Sequence, residues 1–388
     1  MIIELHLLQS FPVSNLNRDD VGQPKTATFG SCTRGRISSQ CIKRATRQLF
    51  SQYGLDVSET GVRTKRLLDR AAKLLAERGR NNDQAPGVVE AGLETLGFRV
   101  DSKTQLSEYL LFVGRQAIEL LADFCDRNWD HLHKTATDKA ASKEKAKDSG
   151  PDKVPTGKTK KIPPNREALA EARHILDASR VADVALFGRM ITDNKDFSVH
   201  AASQVAHAIS THAVVNEFDY YTAVDDLKPK AESGADMIGT VDFNSACYYR
   251  YANLDLTQLD KNLDSDRDLV ARATKAWLYA FVHAVPGGKQ NSMAAHTVPE
   301  TLLGVARGRG AWNLANAFLR PVTGPDLMAT SSEKMLQHFG QLRNFYGSTE
   351  ICSVTAASVT GDLPHIDRTD GTSSLDDFAS RVLANAKA

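Results

Sequence analysis

The sequence lacks the features that would place the chain in a membrane or in an oxidising compartment. Its five cysteines are odd in number and never fall in a C-x-x-C pair, which argues against a disulfide framework and against a zinc site. No apolar run is long enough to span a bilayer. The N-terminal MIIELHLLQSF contains Glu4 and His6 and has no basic start, so it is not typical of a signal peptide. We therefore expect a cytoplasmic protein with no membrane partner.

A strong net charge is missing as well. The 48 lysines and arginines balance 47 aspartates and glutamates, which leaves a formal charge of +1. This balance excludes a uniformly basic protein, so any polyanion site must come from local segregation of charge. The chain shows no internal repeat. Its 388 residues suffice for roughly two or three domains, or for one core with large insertions.

The sequence does contain one concentrated run of positive charge, at residues 17–47. Its first two thirds form a polar, glycine-dotted loop that carries Lys25, Arg34 and Arg36. No carboxylate follows Asp20 in this run, so the local field is strongly positive. We predict that this loop and the helix after it bind a polyanion.

The helix at the end of the run has an identifiable start and two faces. Ser38 or Ser39 can cap it by accepting a bond from a backbone N–H, and the remaining N–H groups at a helix start favour phosphate. Helical spacing produces an apolar face of Ile42, Ala45, Leu49 and Phe50. The polar flank comprises two pairs four residues apart, Gln40 with Arg44 and Lys43 with Arg47.

Two alternatives to a polyanion site exist for this run. The first is an ordinary surface helix that keeps its Lys and Arg side chains in water. The second is a nucleotide-hydrolysing loop, because Gly30 and Gly35 have the matching spacing. However, Arg36 and Ile37 stand where that motif requires Lys and then Ser or Thr. The nucleotide loop is therefore disfavoured.

No cofactor or metal site is predicted. His200, His207 and His212 are separated by seven and five residues and have no carboxylate beside them, so they do not share one helical face. We interpret them as interface or core histidines. The Pro286–Gly288 turn, followed by Lys289, suits either a close approach to a ligand or a plain connection between elements.

The remaining chain predicts an α+β protein. We expect a buried strand over 1–11, helices in 60–128 and 167–180, a Lys-rich mobile loop over 134–164 and a short core strand over 182–190. Residues 216–240 predict a projecting hairpin that carries Tyr220 and Tyr221. These two tyrosines have two alternative roles, local packing and stacking on bases. A strand, a helix at 267–284 and another strand follow, in the order of a split β-α-β-β-α-β ferredoxin-like (RRM-like) sheet with insertions.

Seven motifs together resemble the CRISPR-associated backbone subunit of the type I-E Cascade complex, the CasC family. They spread over most of the chain, although the helical region up to Arg180 matches loosely and the Lys-rich stretch resembles an insertion. The motifs are LNRDD at 16–20, RISSQ-x-x-KRA at 36–45, GRM at 188–190, AHAI-x-TH at 206–212, TAVDDL at 222–227, YRYAN at 249–253 and PG-x-KQ at 286–290.

The resemblance implies a hand-shaped, non-catalytic protein that stacks in several copies along CRISPR RNA. Its partners would be that RNA, target DNA through the guide, further copies of itself and other Cascade subunits. Each thumb would wedge into the neighbouring footprint and flip out a nucleotide at regular intervals. The implied domains are a palm (1–58, 181–213 and 243–388), helical fingers (59–180, with the mobile loop 134–164) and a thumb (214–242).

The resemblance also transfers roles to single residues. Positions that hold the RNA backbone match Lys25, Ser38, Gln40, Lys43 and Arg44, and the glycine turn adds Lys289. Positions that bracket the kink match Met190 and Tyr221, where relatives have another aromatic residue. Arg36 comes from the basic loop, and Arg47 comes from helical geometry alone.

Two competing functions remain open. The related type III backbone subunits are metal-dependent ribonucleases that use an acidic residue, and Asp19 and Asp20 lie in the basic loop. Both carboxylates are better explained as partners of Arg18 and of backbone N–H groups. A self-associating structural protein that ignores nucleic acid is the third class.

Overall fold

A computed structural model describes residues 1–101, 104–148, 166–191, 197–223, 226 and 237–384. The chain divides into two compact units. The first unit comprises Met1–Leu55, Ala202–Lys261 and Asp266–Ala388, and the second comprises Asp56–Ala201 and Asn262–Ser265. Each unit has its own core. Among the described residues, no helix combines the length and the apolar composition needed to cross a bilayer.

The strands of the described chain are of very different lengths. They are β1 (Ile2–Ser14), β2 (Thr26–Phe29), β3 (Cys32–Ile37), β4 (Gly61–Thr64), β5 (Val100–Asp101), β6 (Leu106–Ser107), β7 (Leu111–Gly114), β8 (Ser203–Val205), β9 (Ala208–Ser210), β10 (Glu217–Ala223), β11 (Met237–Asp255), β12 (Thr301–Arg307), β13 (Ile351–Ser358) and β14 (Gly371–Thr372).

The α-helices fall mainly between these strands. They are α1 (Ser39–Leu49), α2 (Leu67–Glu77), α3 (Ala85–Thr95), α4 (Ala117–Arg127), α5 (Trp129–Asp148), α6 (Arg166–Ile175), α7 (Ala182–Phe187), α8 (Leu256–Asn262), α9 (Arg267–His283), α10 (Gln290–Met293), α11 (Leu327–Tyr346) and α12 (Leu375–Ala384). Short 3₁₀ helices occupy Phe50–Tyr53, Val57–Glu59, Leu314–Phe318 and Arg368–Asp370.

The first unit is built on a mixed sheet of ten described strands. The main path runs β14-β13-β12-β1-β11-β9-β3-β2, while β10 and β8 also pair with β11. Strand β1 is nearly all buried, as its continuous apolar sequence predicts, and it pairs antiparallel with both β11 and β12. Helix α9 packs against α1 and α12 in the same unit. The predicted strand at 1–11, the strand expected before the second helix and the predicted helix at 267–284 are confirmed.

Polar groups inside the first unit are paired with one another. Buried Glu4 accepts hydrogen bonds from the Trp312 N–H and the Tyr251 hydroxyl and lies 3.3 Å from Arg307 Nη1. The His6 Nδ1 lies 2.8 Å from the Tyr249 hydroxyl. Burial, with a smaller contribution from the Arg307 charge, lowers the pKa of His6 to about 3. His6 is therefore neutral in the folded protein at physiological pH.

The second unit has a helical core with two small described sheets. Buried side chains of α2, α3, α4 and α6 share one apolar cluster, and β4 pairs with β7 while β5 pairs with β6. The helices expected in 60–128 and 167–180 are present, but short strands interrupt them. Residues 181–201, which the resemblance assigns to the palm, belong to this second unit.

Two sequence predictions in the second unit need correction. Residues 134–148 do not form a loop, because α5 extends to Asp148; Ala136 packs on the core and Lys139 Nζ lies 2.9 Å from Glu90 Oε1. The rest of the predicted loop lies outside the described residues. The predicted strand at 182–190 is wrong, since 182–187 form α7. All six residues of α7 are buried, Asp183 included, so the helix has no exposed polar face that would reveal its period.

Candidate nucleic-acid interface

The basic run begins with a loop, as predicted, but its next part is a tight hairpin that the sequence analysis did not predict. Strands β2 and β3 are antiparallel, and Gly30 and Ser31 connect them with φ of 63° and 65°. Two consecutive residues with positive φ define the two-residue turn whose twist matches a hairpin. A Cβ on Gly30 would lie 1.7 Å from the Leu319 carbonyl oxygen, so only glycine fits. The glycine that suggested a nucleotide loop is therefore explained by packing.

Arg34 anchors the hairpin and does not face solvent. Its guanidinium is fully buried and donates to the carbonyl oxygens of Phe29 (3.1 Å), Ser210 (3.0 Å) and Phe318 (2.7 Å). Three charge-assisted bonds of this kind compensate for the loss of hydration. The interpretation of Arg34 as part of the exposed basic surface is wrong. The sequence does not indicate that Arg34 is buried, because the acceptors in Ser210 and Phe318 lie far along the chain.

The start of α1 confirms the capping prediction and selects Ser38. The Ser38 hydroxyl accepts a hydrogen bond from the Cys41 N–H at 3.3 Å, and its own N–H donates to Asn17 Oδ1 at 2.8 Å. Ile42, Ala45 and Phe50 are buried, as the helical spacing predicts. Ser38 is thus a structural cap, and Asn17, which sequence reasoning missed, fixes the entry of the chain into the helix.

The loop that precedes the hairpin is held by its own side chains. Asp19 Oδ1 accepts hydrogen bonds from the N–H groups of Val21 (3.0 Å) and Gln23 (2.8 Å). The Lys25 N–H donates to the Asn17 carbonyl, and the Arg36 N–H donates to the Lys25 carbonyl, at 2.9 and 2.8 Å. The backbone bonds to Asp19 agree with its interpretation as a residue that fixes the loop.

Three cations of the run lie near the N-terminal half of α1. Burial raises the pKa of the Cys41 thiol, whereas the charges of Lys25 and Arg44 act in the opposite direction, so both cations lie near this thiol. Arg36 extends from β3, where its Nε lies 3.3 Å from the Thr26 carbonyl oxygen. Lys25, Arg36 and Arg44 therefore form one positive surface around a helix N-terminus, which we name the cationic corner.

The other predicted backbone-binding residues of α1 lie beside this corner. Gln40 is exposed and accepts from the Ser39 hydroxyl at 3.4 Å. Lys43 and Arg47 are half-buried on the neighbouring side of the helix. Spacing of four residues along a helix places Lys43 and Arg47 on one flank, as predicted.

His207 lies in the cationic corner, which sequence reasoning did not predict. Its exposed ring follows β8, and Arg36 Nη1 donates to its Nδ1 at 3.2 Å. His212 has a different role, since its Nε2 accepts from the Cys247 N–H at 3.2 Å. His200 belongs to the second unit. Among the residues that the structure describes, no three His, Cys, Asp or Glu side chains converge as a metal site would require.

The glycine turn of the first unit lies against the basic loop. A Cβ on Gly288 would lie 2.4 Å from the Leu16 carbonyl oxygen and 2.6 Å from that of Asn15. The turn therefore needs glycine because two backbones pack together. Lys289 follows with φ of 53° and is half-buried, so it is held next to the loop that carries Lys25.

Tyr221 lies on an exposed antiparallel hairpin, as predicted. Strand β10 pairs with the first part of β11, and Tyr221 is opposite Gly239. A Cβ on Gly239 would lie 2.6 Å from the Tyr221 ring, which shows that the ring covers this glycine. The Tyr221 side chain is still 39% exposed, and Phe218 and Tyr220 are exposed beside it. The predicted tip of this segment lies outside the described residues.

Met190 belongs to the second unit, and its side chain lies in solvent. Gly188 has φ of 76°, and Arg189 pairs with Val199 while its guanidinium donates to the carbonyl oxygens of Phe197 and Leu176, each at 2.9 Å. These bonds fix the backbone, and Met190 remains 84% exposed at a cleft of about 200 Å³. An unbranched apolar side chain held in solvent suits contact with a flat apolar group.

Comparison with known proteins identifies the family of this chain. The sequence matches the family described as CT1975-like protein over residues 3–381, and the chain belongs to that family. No curated protein matches the sequence.

Two solved structures show the same fold over their whole length. A chain of a "CRISPR RNA-guided surveillance complex, pre-nicking" superposes with a TM-score of 0.81 at 28% identity, covering 100% of both chains. A chain of a "CRISPR RNA-guided surveillance complex" superposes with a TM-score of 0.72 at 25% identity, covering 99% of both chains.

Proposed function

We propose that this protein is a CRISPR RNA-binding subunit of a Cascade-type surveillance complex. The observation that carries the proposal is the cationic corner, where Lys25, Arg36 and Arg44 surround a capped helix N-terminus in a chain of net charge +1. Full-length similarity to chains of two RNA-guided complexes supports it. The further partners would be the other subunits of that complex.

The chemistry of the cationic corner suits RNA binding that does not depend on base sequence. Lysine and arginine side chains and backbone N–H groups at a helix start bind phosphate oxygens, which are the same at every nucleotide. A subunit that accepts any guide should leave sequence recognition to base pairing with the target. Target DNA is therefore a partner through the guide and not through the corner itself.

We further propose a backbone role of the type I-E kind, in which several copies line one guide and kink it at regular intervals. Exposed Tyr221 and exposed Met190 support this proposal, because apolar side chains held in solvent can separate neighbouring bases. Gln40, Lys43, Arg47 and Lys289 would extend the phosphate contacts. The thumb would be the β10–β11 hairpin.

A ferredoxin-like palm is proposed for the first unit. The strands lie in the order β12, β1, β11 and then β8 with β9, and neighbouring strands are antiparallel. Helix α1 follows β1 after the hairpin, and α9 follows β11 after the short α8. This order and these connections support a split β-α-β-β-α-β arrangement.

Co-purification with and without guide RNA tests the proposed function. We expect the protein, expressed together with a CRISPR transcript and the other subunits, to elute as a large particle with a nucleic-acid absorbance ratio. Without the transcript, the large particle should be absent. Failure to retain the transcript at moderate salt would contradict RNA binding, and polymers of the same size without RNA would favour a purely structural protein.

A further inference from the structure

His207 lies in the cationic corner and is exposed, so it does not fill space in the core. It lies between β8 and β9, is exposed, and accepts a hydrogen bond at Nδ1 from Arg36 Nη1 at 3.2 Å. A guanidinium can only donate, so Nδ1 carries no proton in this state and the neutral ring has its proton on Nε2.

Among the described residues, the charges that act on the His207 ring are both positive. They come from Arg36 on β3 and from Lys25 in the segment before β2. Partial burial, then the Arg36 charge and then the Lys25 charge lower the pKa of His207 below its ordinary value of 6.5. The ring is therefore neutral near pH 7, although it lies among groups suited to an anion.

We propose that His207 is a further phosphate ligand for the guide RNA and takes up one proton from solvent when the RNA backbone binds at the cationic corner. This inference rests on the proposed RNA-binding function. A phosphate beside Lys25 and Arg36 competes with Nδ1 for the Arg36 N–H groups, because the anion is the stronger acceptor. Nδ1 then takes a proton from hydronium or a buffer acid in solvent, whose bond to that proton breaks, and the new N–H donates to a phosphate oxygen.

Proton uptake gives the RNA affinity a definite dependence on pH. The phosphate charge favours the protonated ring, so the complex binds protons more tightly than the free protein does. Affinity therefore rises as pH falls through the pKa of the complex, and it levels off below the pKa of the free protein. One coupled proton changes the affinity by at most about tenfold per pH unit.

Three variants of the full chain separate this role from other effects. His207→Gln keeps an acceptor for Arg36 but cannot ionise. His207→Lys keeps a positive charge at every pH used. His174→Gln removes an exposed histidine from α6 and serves as the matched control.

Fluorescence anisotropy with a labelled RNA that lacks terminal phosphates, at pH 6 and pH 8 and constant low ionic strength, tests the proposal. We expect the wild type and His174→Gln to bind several-fold more tightly at pH 6. His207→Gln should bind equally at both pH values, at the weaker affinity, and His207→Lys should bind equally at the tighter affinity. Calorimetry in two buffers of different ionisation heat should detect proton uptake only in the wild type and His174→Gln.

The failures of this inference and of the proposed function give different results. If the wild type binds RNA with the same affinity at both pH values, or if His207→Gln keeps the full pH dependence, His207 is not the coupled ligand and RNA binding itself stands. If no variant and no wild-type protein binds RNA at either pH, both proposals are overturned.

Discussion

At the scale of single residues, Lys43 and Arg44 are the most direct test of phosphate contact. Replacing both by Ala should weaken binding equally for RNAs of different sequence, because phosphates carry no base information. The slope of log affinity against log salt should become shallower by about 1.4, since each phosphate contact on a single strand contributes about 0.7. Filter binding over a salt series measures this slope.

A matched control removes the same charge elsewhere in the first unit. Lys261→Ala with Lys275→Ala changes two exposed lysines on α8 and α9. The salt slope should then stay at the wild-type value. An equal change in both double variants would mean that only the net charge matters and that the corner has no special role.

His6 predicts how the first unit responds to acid. Its pKa is about 3 in the folded protein and about 6.5 when unfolded, so protonation favours the unfolded state. Its contribution to stability is present above pH 6.5 and is lost as pH falls towards 3, with a slope of up to about 1.4 kcal/mol per pH unit. Burial raises the pKa of Glu4, so protonation of Glu4 favours the folded state. This effect is opposite to that of His6 and is the same in the wild type and in a His6 variant.

The His6 prediction is checked with urea titrations between pH 6.5 and pH 5. His6→Gln should be less stable overall, but its free energy of unfolding should fall less steeply with decreasing pH than that of the wild type. Parallel curves for the two proteins would show that another group titrates. His174→Gln, which changes an exposed histidine, should follow the wild type.

At the scale of elements, the β10–β11 hairpin carries the prediction for the kink. Tyr221→Ala should leave the sheet folded but disturb the spacing of flipped nucleotides, which chemical probing of the bound RNA reports. Gly239→Ala should have a similar effect, because a Cβ there displaces the Tyr221 ring. Tyr220→Ala, on the opposite face of the strand, is the control. A regular probing pattern in all three variants would remove Tyr221 from the wedge.

The elements also show what a sequence can and cannot reveal. Strand β1 and helix α1 were predictable, because a buried strand reads as a continuous apolar run and a capped helix shows its period in Ile42, Ala45 and Phe50. Helix α7 was not predictable, because burial on all sides removes the period. The inward direction of Arg34 depends on the carbonyl groups of Ser210 and Phe318, which tertiary folding alone brings close.

The candidate site was predictable only where residues close in the sequence define it. Lys43, Arg44 and Arg47 are adjacent through helical spacing, which is local information. Arg36 and His207 meet because β3 pairs with β9, a contact between residues 171 positions apart. No pattern in the sequence encodes that pairing, so His207 was interpreted as an interface or core residue.

At the scale of the whole molecule, the question is whether the protein only holds RNA or also cuts it. We propose that it does not cut, because the Asp19 carboxylate is already bonded to two backbone N–H groups of its own loop. Incubation of the assembled complex with complementary RNA and Mg²⁺ should leave that RNA intact on a denaturing gel. Cleavage that disappears in an Asp20→Ala variant would favour the ribonuclease alternative.

The buried guanidinium of Arg34 bears on whether the protein can bind a second transcript after the first has been removed. Salt screens exposed charges strongly and buried hydrogen bonds weakly. Arg34 ties the β2–β3 hairpin to the rest of the first unit through the buried carbonyl groups of Ser210 and Phe318. A salt wash that strips the guide should therefore leave the hairpin in place, and the emptied subunit should accept a new transcript on dilution without first being refolded.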